Sequence, residues 1–305
     1  MPTENAASME TARQVVVHLG MMKSASTTIQ RAARRCGIIY RSAQPLKAAL
    51  HQHRGERSKA INAMSKALHD IIPSDNDKNL FLSHESLIYG RPEWVLTAVR
   101  RVAPAAHIFI IVRNPNDWIR SYYRFSVSRA TEMEMPASFL LRMTDKFKSH
   151  YALDQLLPLI ERAGFADRFT MLPFELLSKN PAEFSAALAR HLGLHFKAKD
   201  LKTVQNAGQS LSDVLANLRF NRVAAQLTGG SRDPERLKQL FAELKLQMYL
   251  ASARSTGKEA DGNMRDVDFL QLRTELEEIN VEFADGYQCL RNIDEFAPFL
   301  TRYGL

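Results

Sequence analysis

Cysteine is scarce. Cys36 and Cys289 are the only two in 305 residues, they lie far apart, and neither belongs to a CxxC pair. Such a pattern supports neither a disulfide framework nor a cysteine-based zinc site, and a reducing, cytoplasmic setting is expected. Long apolar runs are missing as well. The strongest, Ile108 to Val112, falls far short of the roughly 20 residues that a membrane-spanning helix needs, so no transmembrane segment is expected. The opening stretch MPTENAASMETARQ carries two glutamates and no apolar run; it reads as neither a secretory signal nor a transit peptide, and residues 1–13 are expected to form a disordered tail. The sequence has no long Lys/Arg block, no RNA-recognition signature and no zinc finger, so nucleic acid is not expected as a partner. Repeats and low-complexity tracts are absent too. No cluster of carboxylates suggests a magnesium site. His51 and His53 flank Gln52 in a basic stretch without further ligands, and read as solvated side chains.

What is present suits a globular α/β protein. The chain is 45% hydrophobic and 24% charged, with a formal net charge of +8 and a pI near 9.5. The excess of cations favours anionic partners, although its sign alone does not choose among phosphates, sulfates, acidic sugars and membrane surfaces. Short apolar runs alternate with helical patterns through the first two-thirds. Val15 to Leu19, Ile38 to Tyr40, Leu80 to Leu82, Ile108 to Val112 and Phe169 to Leu172 are the strand candidates. In TTIQRAARRCG the apolar residues Ile29, Ala32, Ala33 and Cys36 share one helical face while Arg31, Arg34 and Arg35 take the other, and Gly37 ends the pattern. Ile108 to Val112 is apolar at every position, as a central parallel strand covered on both faces should be. Beyond residue 205 the patterns become mostly helical, over 211–227, 234–253 and 267–283, with turn-rich connectors between them. The expected fold is a doubly wound parallel sheet of about five strands, with residues 14–305 forming one domain and 206–305 a helical C-terminal layer on it.

The stretch HLGMMKSASTTIQ, His18 to Gln30, joins the first strand to the first helix. Strand, Gly20, Lys23-Ser24-Ala25-Ser26-Thr27-Thr28, then helix: this order gathers backbone N–H groups, hydroxyls and a cation at a helix N-terminus, where unpaired N–H groups and the helix dipole attract anions. Serine and threonine are also ordinary helix caps, so the same residues admit a purely structural reading. A nucleotide-binding Walker loop would read GxxxxGK followed by Ser or Thr. No second glycine precedes Lys23, which disfavours an ordinary NTPase. Further along, the strand ending at Val112 runs into RNPNDWIRSYY, where Asn114 can cap a helix, Pro115 fits its first turn and Asp117 sits near its N-terminus. Lys23, Glu85 and Arg113 each lie just beyond an apolar strand run. In an open parallel sheet, such positions converge on the ligand crevice outside the carboxyl ends of the strands.

These residues resemble the sulfotransferases that use 3'-phosphoadenosine 5'-phosphosulfate (PAPS). HLGMMKSASTTIQ is similar, without a gap, to their 5'-phosphosulfate loop, typically HIGxPKTGTTxLQ: Gly20, Lys23, Thr27 and Gln30 match, Ser24 and Ser26 stand where threonine is common, and Met22 and Ala25 replace proline and glycine. Ala25 is the departure that matters most, harmless if its backbone is helical and strained if it needs positive φ. Arg113 and Ser121, eight positions apart, resemble the family's 3'-phosphate motif, usually RxPxxRxxSxY; a guanidinium suits that task because its planar fork holds phosphate bidentately. Arg168 to Leu194 resembles the family's late strand, turn and helix, with Glu175 in a structural place, and QNAGQSLSDVL from Gln205 is loosely similar to a segment near the nucleotide.

The resemblance implies PAPS as co-substrate, adenosine 3',5'-diphosphate as product and no metal. It implies that Lys23 stabilises the bridging oxygen and the leaving diphosphate, while Ser24, Ala25, Ser26, Thr27 and Thr28 supply donors. Arg113 and Ser121 would hold the 3'-phosphate. FLSHESL places Glu85 and His84 at the third strand's end; Glu85 is the first candidate for the base and His84 the second. The expected acceptor is a small molecule or saccharide, through a hydroxyl or an amine, and glycolipid-like compounds fit the class. The stretch Ala130 to Tyr151 falls where the family places acceptor-binding structure, and Arg91, Arg124 and Arg129 are cations available to an anionic acceptor. Two other functions remain open: a nucleotide-dependent phosphotransferase, and a non-catalytic protein binding an adenosine diphosphate or a partner. The sulfotransferase reading requires Lys23 and Arg113 to face one cleft.

Overall fold

The computed structural model describes residues 13–72, 78–129, 131–150, 152–202, 210–227, 239, 243, 265–281 and 286–305. The tail 1–12, most of the helical pattern over 234–253, the connectors around it and the segment 203–209 lie outside the described residues. The five strands are β1 (Val15–His18), β2 (Ile39–Ser42), β3 (Leu80–Ser83), β4 (His107–Val112) and β5 (Phe169–Pro173). They form one sheet in the order β2-β3-β1-β4-β5, and every pairing is parallel. The doubly wound α/β architecture read from the sequence is therefore the one observed. The chain winds from β1 outward to β2, comes back to β3, then crosses β1 to β4. The connections after β1 and β4 leave in opposite directions, which makes the ends of these neighbouring strands the topological switch point where α/β sheets bind ligands.

The described residues cluster into two compact units. The first comprises 1–114, 150–205 and 283–305 and contains the whole sheet. Its helices are α1 (Ser26–Arg35), α2 (Gln44–Gln52), α3 (Arg57–Ile71) and α4 (Pro92–Val102) in the first segment. The second unit comprises 115–149 and 206–282, beginning with α5 (Pro115–Ser128) and α6 (Pro136–His150). Back in the first unit lie α7 (Leu153–Arg162), α8 (Phe174–Lys179), α9 (Pro181–Leu192) and α10 (Ala198–Leu201). Among the described residues the remaining α-helices are α11 (Leu211–Leu227) and α12 (Arg265–Glu277) in the second unit, and α13 (Leu300–Tyr303) in the first.

In the first unit α1 lies on the sheet by the stripe its sequence provides. Ile29, Ala32 and Ala33 are buried in one cluster with Val16, Phe81, Phe109 and Ile111 from the strands and with Leu177, Phe184 and Leu188 from α8 and α9, while Arg31, Arg34 and Arg35 are exposed. Short side chains at 32 and 33 let the helix approach the strands closely, and Arg34 and Arg35 in its last turn complement the dipole. β4 is buried at every position, as expected of a strand covered on both faces. In the second unit an aromatic cluster forms the core. Trp118 and Phe147 meet edge-on at 5.3 Å between ring centroids and Tyr123 and Phe139 at 5.1 Å, the offset and T-shaped geometries that ring quadrupoles favour. Asn221 Nδ2 donates to the carbonyls of Val127 and Glu132 at 2.9 and 2.8 Å, tying α11 to this core. The segment 130–151, expected near an acceptor, thus contributes Phe139 and Phe147 to packing. No described helix is long and apolar enough to cross a membrane.

Candidate functional site

The loop after β1 prolongs the sheet before it turns. Leu19 N–H donates to Phe109 O at 3.1 Å, Met21 N–H to Ile111 O at 3.5 Å, and Gly20 O accepts from Ile111 N–H at 3.3 Å, so the β1–β4 ladder runs on past His18. On the other side, Leu19 O accepts from Ile88 N–H at 2.9 Å, stitching in the turn that follows β3. Gly20 is squeezed between these neighbours. Its φ is 128°, and a Cβ there would sit 2.6 Å from the carbonyl oxygen of Glu85, so both conformation and space call for glycine.

Beyond Met22 the backbone enters the left-handed region twice. Among the described residues, the non-glycine residues with positive φ are Lys23, at 61°, and Ala25, at 62°. Left-handed backbone costs a residue with a side chain about 1–2 kcal/mol, and such strain concentrates at functional sites where surrounding structure holds it in place. Ala25, the alanine in a glycine position, therefore takes the strained alternative. Its alternation with helical Ser26 turns successive N–H groups toward one side, the arrangement that makes an anion-binding concavity. Ala25 is also the N-cap of α1 and offers no side-chain cap, and the first turn contains no acid. The N–H groups of Ser26, Thr27 and Thr28 point out of the helix end with no acceptor within the helix, and Ser24, Ser26 and Thr28 are buried. An uncapped, partly buried and acid-free helix start of this kind fits an external anion.

Beneath the loop, Ser83 at the end of β3 joins three elements. Its Oγ is 2.8 Å from His18 Nδ1 and accepts from Gln30 Nε2 at 3.0 Å. His18 is stacked on Phe81 at 5.8 Å, and burial pushes its pKa down to about 3, so the imidazole is neutral here. Gln30 and His18 both belong to the loop pattern read in the sequence; their shared partner Ser83 became visible only with the sheet order.

Arg113, at the end of β4, is brought to the same loop. Its Nη1 donates to the carbonyl of Lys23 at 3.0 Å, and its guanidinium lies 4.6 Å from the centre of the Phe174 ring. Residues ninety positions apart are thus in direct contact, and one of the five guanidinium donors is committed to bracing the left-handed Lys23. The peptide after Arg113 is secured by parts from far along the chain. Asn114 N–H donates to Glu175 Oε1 at 3.0 Å, and the Asn114 side-chain amide donates to the carbonyl of Arg302. Tyr303 Oη lies 2.7 Å from Glu175 Oε2 and 3.1 Å from Val112 O, donating to one at a time. Glu175 is buried and serves here as scaffold, and neither it nor Tyr303 could be linked to this strand end from sequence spacing.

Glu85 and His84 follow β3, the other neighbour of β1. Glu85 is exposed, with its carbonyl against Gly20. The His84 ring is engaged at both nitrogens: Ser86 N–H donates to Nδ1 at 3.2 Å, which fixes the neutral tautomer with its proton on Nε2, and Nε2 donates to Gln44 Oε1 at 2.5 Å. Burial and the charge of Lys47 both lower its pKa. Lys23, Glu85 and Arg113 therefore follow three adjacent strands, while Ser121 lies half-buried on α5 in the second unit.

No protein-family model matches the sequence, and none of the curated proteins is similar enough in sequence to match. Among solved structures, the chain is similar to a sulfotransferase from Alicyclobacillus acidocaldarius, with 14% identity over 74% of this chain and 99% of that one and a TM-score of 0.47. It is also similar to the sulfotransferase domain of the Synechococcus PCC 7002 olefin synthase, with 14% identity over 87% of this chain and 94% of that one and a TM-score of 0.42.

Proposed function

We propose that this protein is a sulfotransferase that moves a sulfuryl group from PAPS to a hydroxyl or amine acceptor. One observation carries the reading: Arg113 donates to the backbone carbonyl of Lys23, so the two cationic residues expected to hold opposite ends of one activated sulfate are neighbours. The uncapped start of α1, strained at Ala25 and free of acids, supports the same conclusion, since its donors suit the phosphosulfate end.

In this mechanism the acceptor oxygen or nitrogen forms a bond to sulfur as the bridging S–O bond breaks, and adenosine 3',5'-diphosphate leaves. Lys23 and the N–H groups of Ser26 to Thr28 stabilise the charge that develops on the leaving phosphate, the kind of preorganised electrostatic support whose removal costs about 100- to 1000-fold in rate. Glu85 accepts the acceptor's proton. It is preferred over His84 because the unprotonated nitrogen of that ring already accepts from Ser86. Arg113 holds the 3'-phosphate. The chemistry is compatible with a small molecule, a saccharide or a glycolipid as acceptor.

The decisive experiment is calorimetric titration with adenosine 3',5'-diphosphate and adenosine 5'-monophosphate, on the parent and on Arg113→Ala. Preference for the diphosphate that disappears in the variant supports the donor assignment. Equal weakening toward both nucleotides reduces Arg113 to a brace for the loop, and equal affinity in the parent defeats the reading. A PAPS turnover assay with Lys23→Ala then separates an enzyme from a protein that only binds the nucleotide: transfer is expected to fall about 100-fold or more with the fold retained.

A further inference from the structure

We propose that the second unit carries a binding pocket for a small carboxylate on an apolar stem, with Arg124 as its anchor. A cavity of about 290 Å³ lies among α5, α11 and α12, lined by Arg120, Arg124, Leu211, Arg273, Leu276 and Glu277. This is near the lower end of the range for ligand sites. Arg124 is also a cation available to an anionic acceptor, but the pocket does not depend on the phosphosulfate loop: every lining residue belongs to the second unit, and none was assigned to the loop or its anchors.

The three arginines are not equivalent. Arg120 is consumed by the fold: its Nε donates to Leu276 O at 2.8 Å, its Nη2 to Glu277 O and Ile279 O at 2.9 and 3.0 Å, and its Nη1 pairs with Asp117 at 3.1 Å. It caps the C-terminal carbonyls of α12, where the dipole favours a cation. Arg273 pairs with Glu277 across one helical turn at 2.9 Å. Arg124 is different. Among the described residues it enters no ion pair, and with its Nε buried it is the Nη end of the guanidinium that is left to meet a ligand in the cavity. A guanidinium stays charged at any ordinary pH.

Charge and shape together specify the occupant. Asp117 balances Arg120 and Glu277 balances Arg273, so one cationic charge is left, matched by one anionic charge. A carboxylate fits the planar fork with two parallel hydrogen bonds. Leu211 and Leu276 supply apolar walls on which a short hydrocarbon stem or a ring can lie, a combination of few polar groups and apolar lining that is usual for ligand sites.

Titration of the full-length protein with hexanoate tests this, with 1-hexanol and inorganic phosphate as comparison ligands. Hexanoate is expected to bind with a Kd of about 1 mM or tighter, hexanol and phosphate at least about tenfold more weakly. Arg124→Gln is expected to weaken hexanoate at least about tenfold, the loss of a charge-assisted pair, with Arg124→Lys in between and Lys23→Ala unchanged. Leu211→Trp, which fills space and keeps every charge, is expected to weaken binding as well and decides the matter if Arg124→Gln does not fold. Absence of binding up to about 10 mM, unchanged affinity in Arg124→Gln and Leu211→Trp, or phosphate or hexanol binding as tightly as hexanoate would each overturn the assignment.

Discussion

The ends of β1 and β4 are neighbours in the sheet, yet they are held in opposite ways. After β1 the backbone itself does the work: a Cβ on Gly20 would stand 2.6 Å from the carbonyl oxygen of Glu85, Lys23 and Ala25 bend left-handed, and the helix begins without a side-chain cap. After β4 the bracing comes from side chains, with Arg113 reaching back to Lys23 O and Glu175 and Tyr303 arriving from α8 and the last helix. Main-chain bracing leaves the N–H groups at the start of α1 without acceptors in the helix, and at Gly20 it tolerates no added atom. Side-chain bracing tolerates substitution, at a cost set by each lost hydrogen bond.

That contrast can be broken or sharpened by experiment. The largest effect is expected from Gly20→Ala, which must relieve a clash with Glu85 O and adopt a disfavoured φ; a loss of about 3–5 kcal/mol in urea unfolding is expected, and a variant as stable as the parent would contradict the backbone account. Glu175→Ala comes next. Tyr303 keeps Val112 O as an acceptor, so chiefly the buried Asn114 N–H is orphaned, and about 2 kcal/mol should be lost. Acid provides a smaller, graded test. Burial holds the folded pKa of His18 at about 3 and of His107 at about 4, both below the model-peptide value of about 6.5. The unfolded chain therefore binds more protons between those values. Stability is full above pH 6.5 and falls on acidification by about 1.4 kcal/mol per pH unit for each histidine, measurable as unfolding free energy between pH 6.5 and 5; a flat profile there would deny that the rings are buried and neutral. The smallest effect has the opposite sign. Ala25→Gly removes the left-handed penalty and should raise stability by about 1 kcal/mol, seen as a higher melting temperature.

The sheet and its winding were legible because β1, β3 and β4 carry the consecutive apolar runs Val15–Val17, Leu80–Leu82 and Ile108–Val112 and α1 places its cations on a single face, whereas β2 runs on through the polar Arg41 and Ser42. The loop was legible too, as local sequence: Gly20, Lys23 and the hydroxyls follow one another without interruption. What sequence order could not supply were the partners drawn from a distance. Ser83 links His18 to Gln30 only because β3 lies beside β1. Ala25 was flagged as a departure from a glycine position, but its φ depended on how α1 leaves the loop. Arg124 looked like one of several available cations, and only the pairing of Arg120 and Arg273 sets it apart.

The reach of Tyr303 bears on the order in which the molecule is completed. The strand carrying Arg113 emerges early from the ribosome, but the hydroxyl that closes on Val112 O and Glu175 follows 191 positions later. Until then the end of β4 lacks one fastening. A nascent chain stalled before residue 303 should already carry the loop after β1 yet hold the peptide that follows Val112 loosely, which makes the mobility of that strand end a readout of how far translation has proceeded.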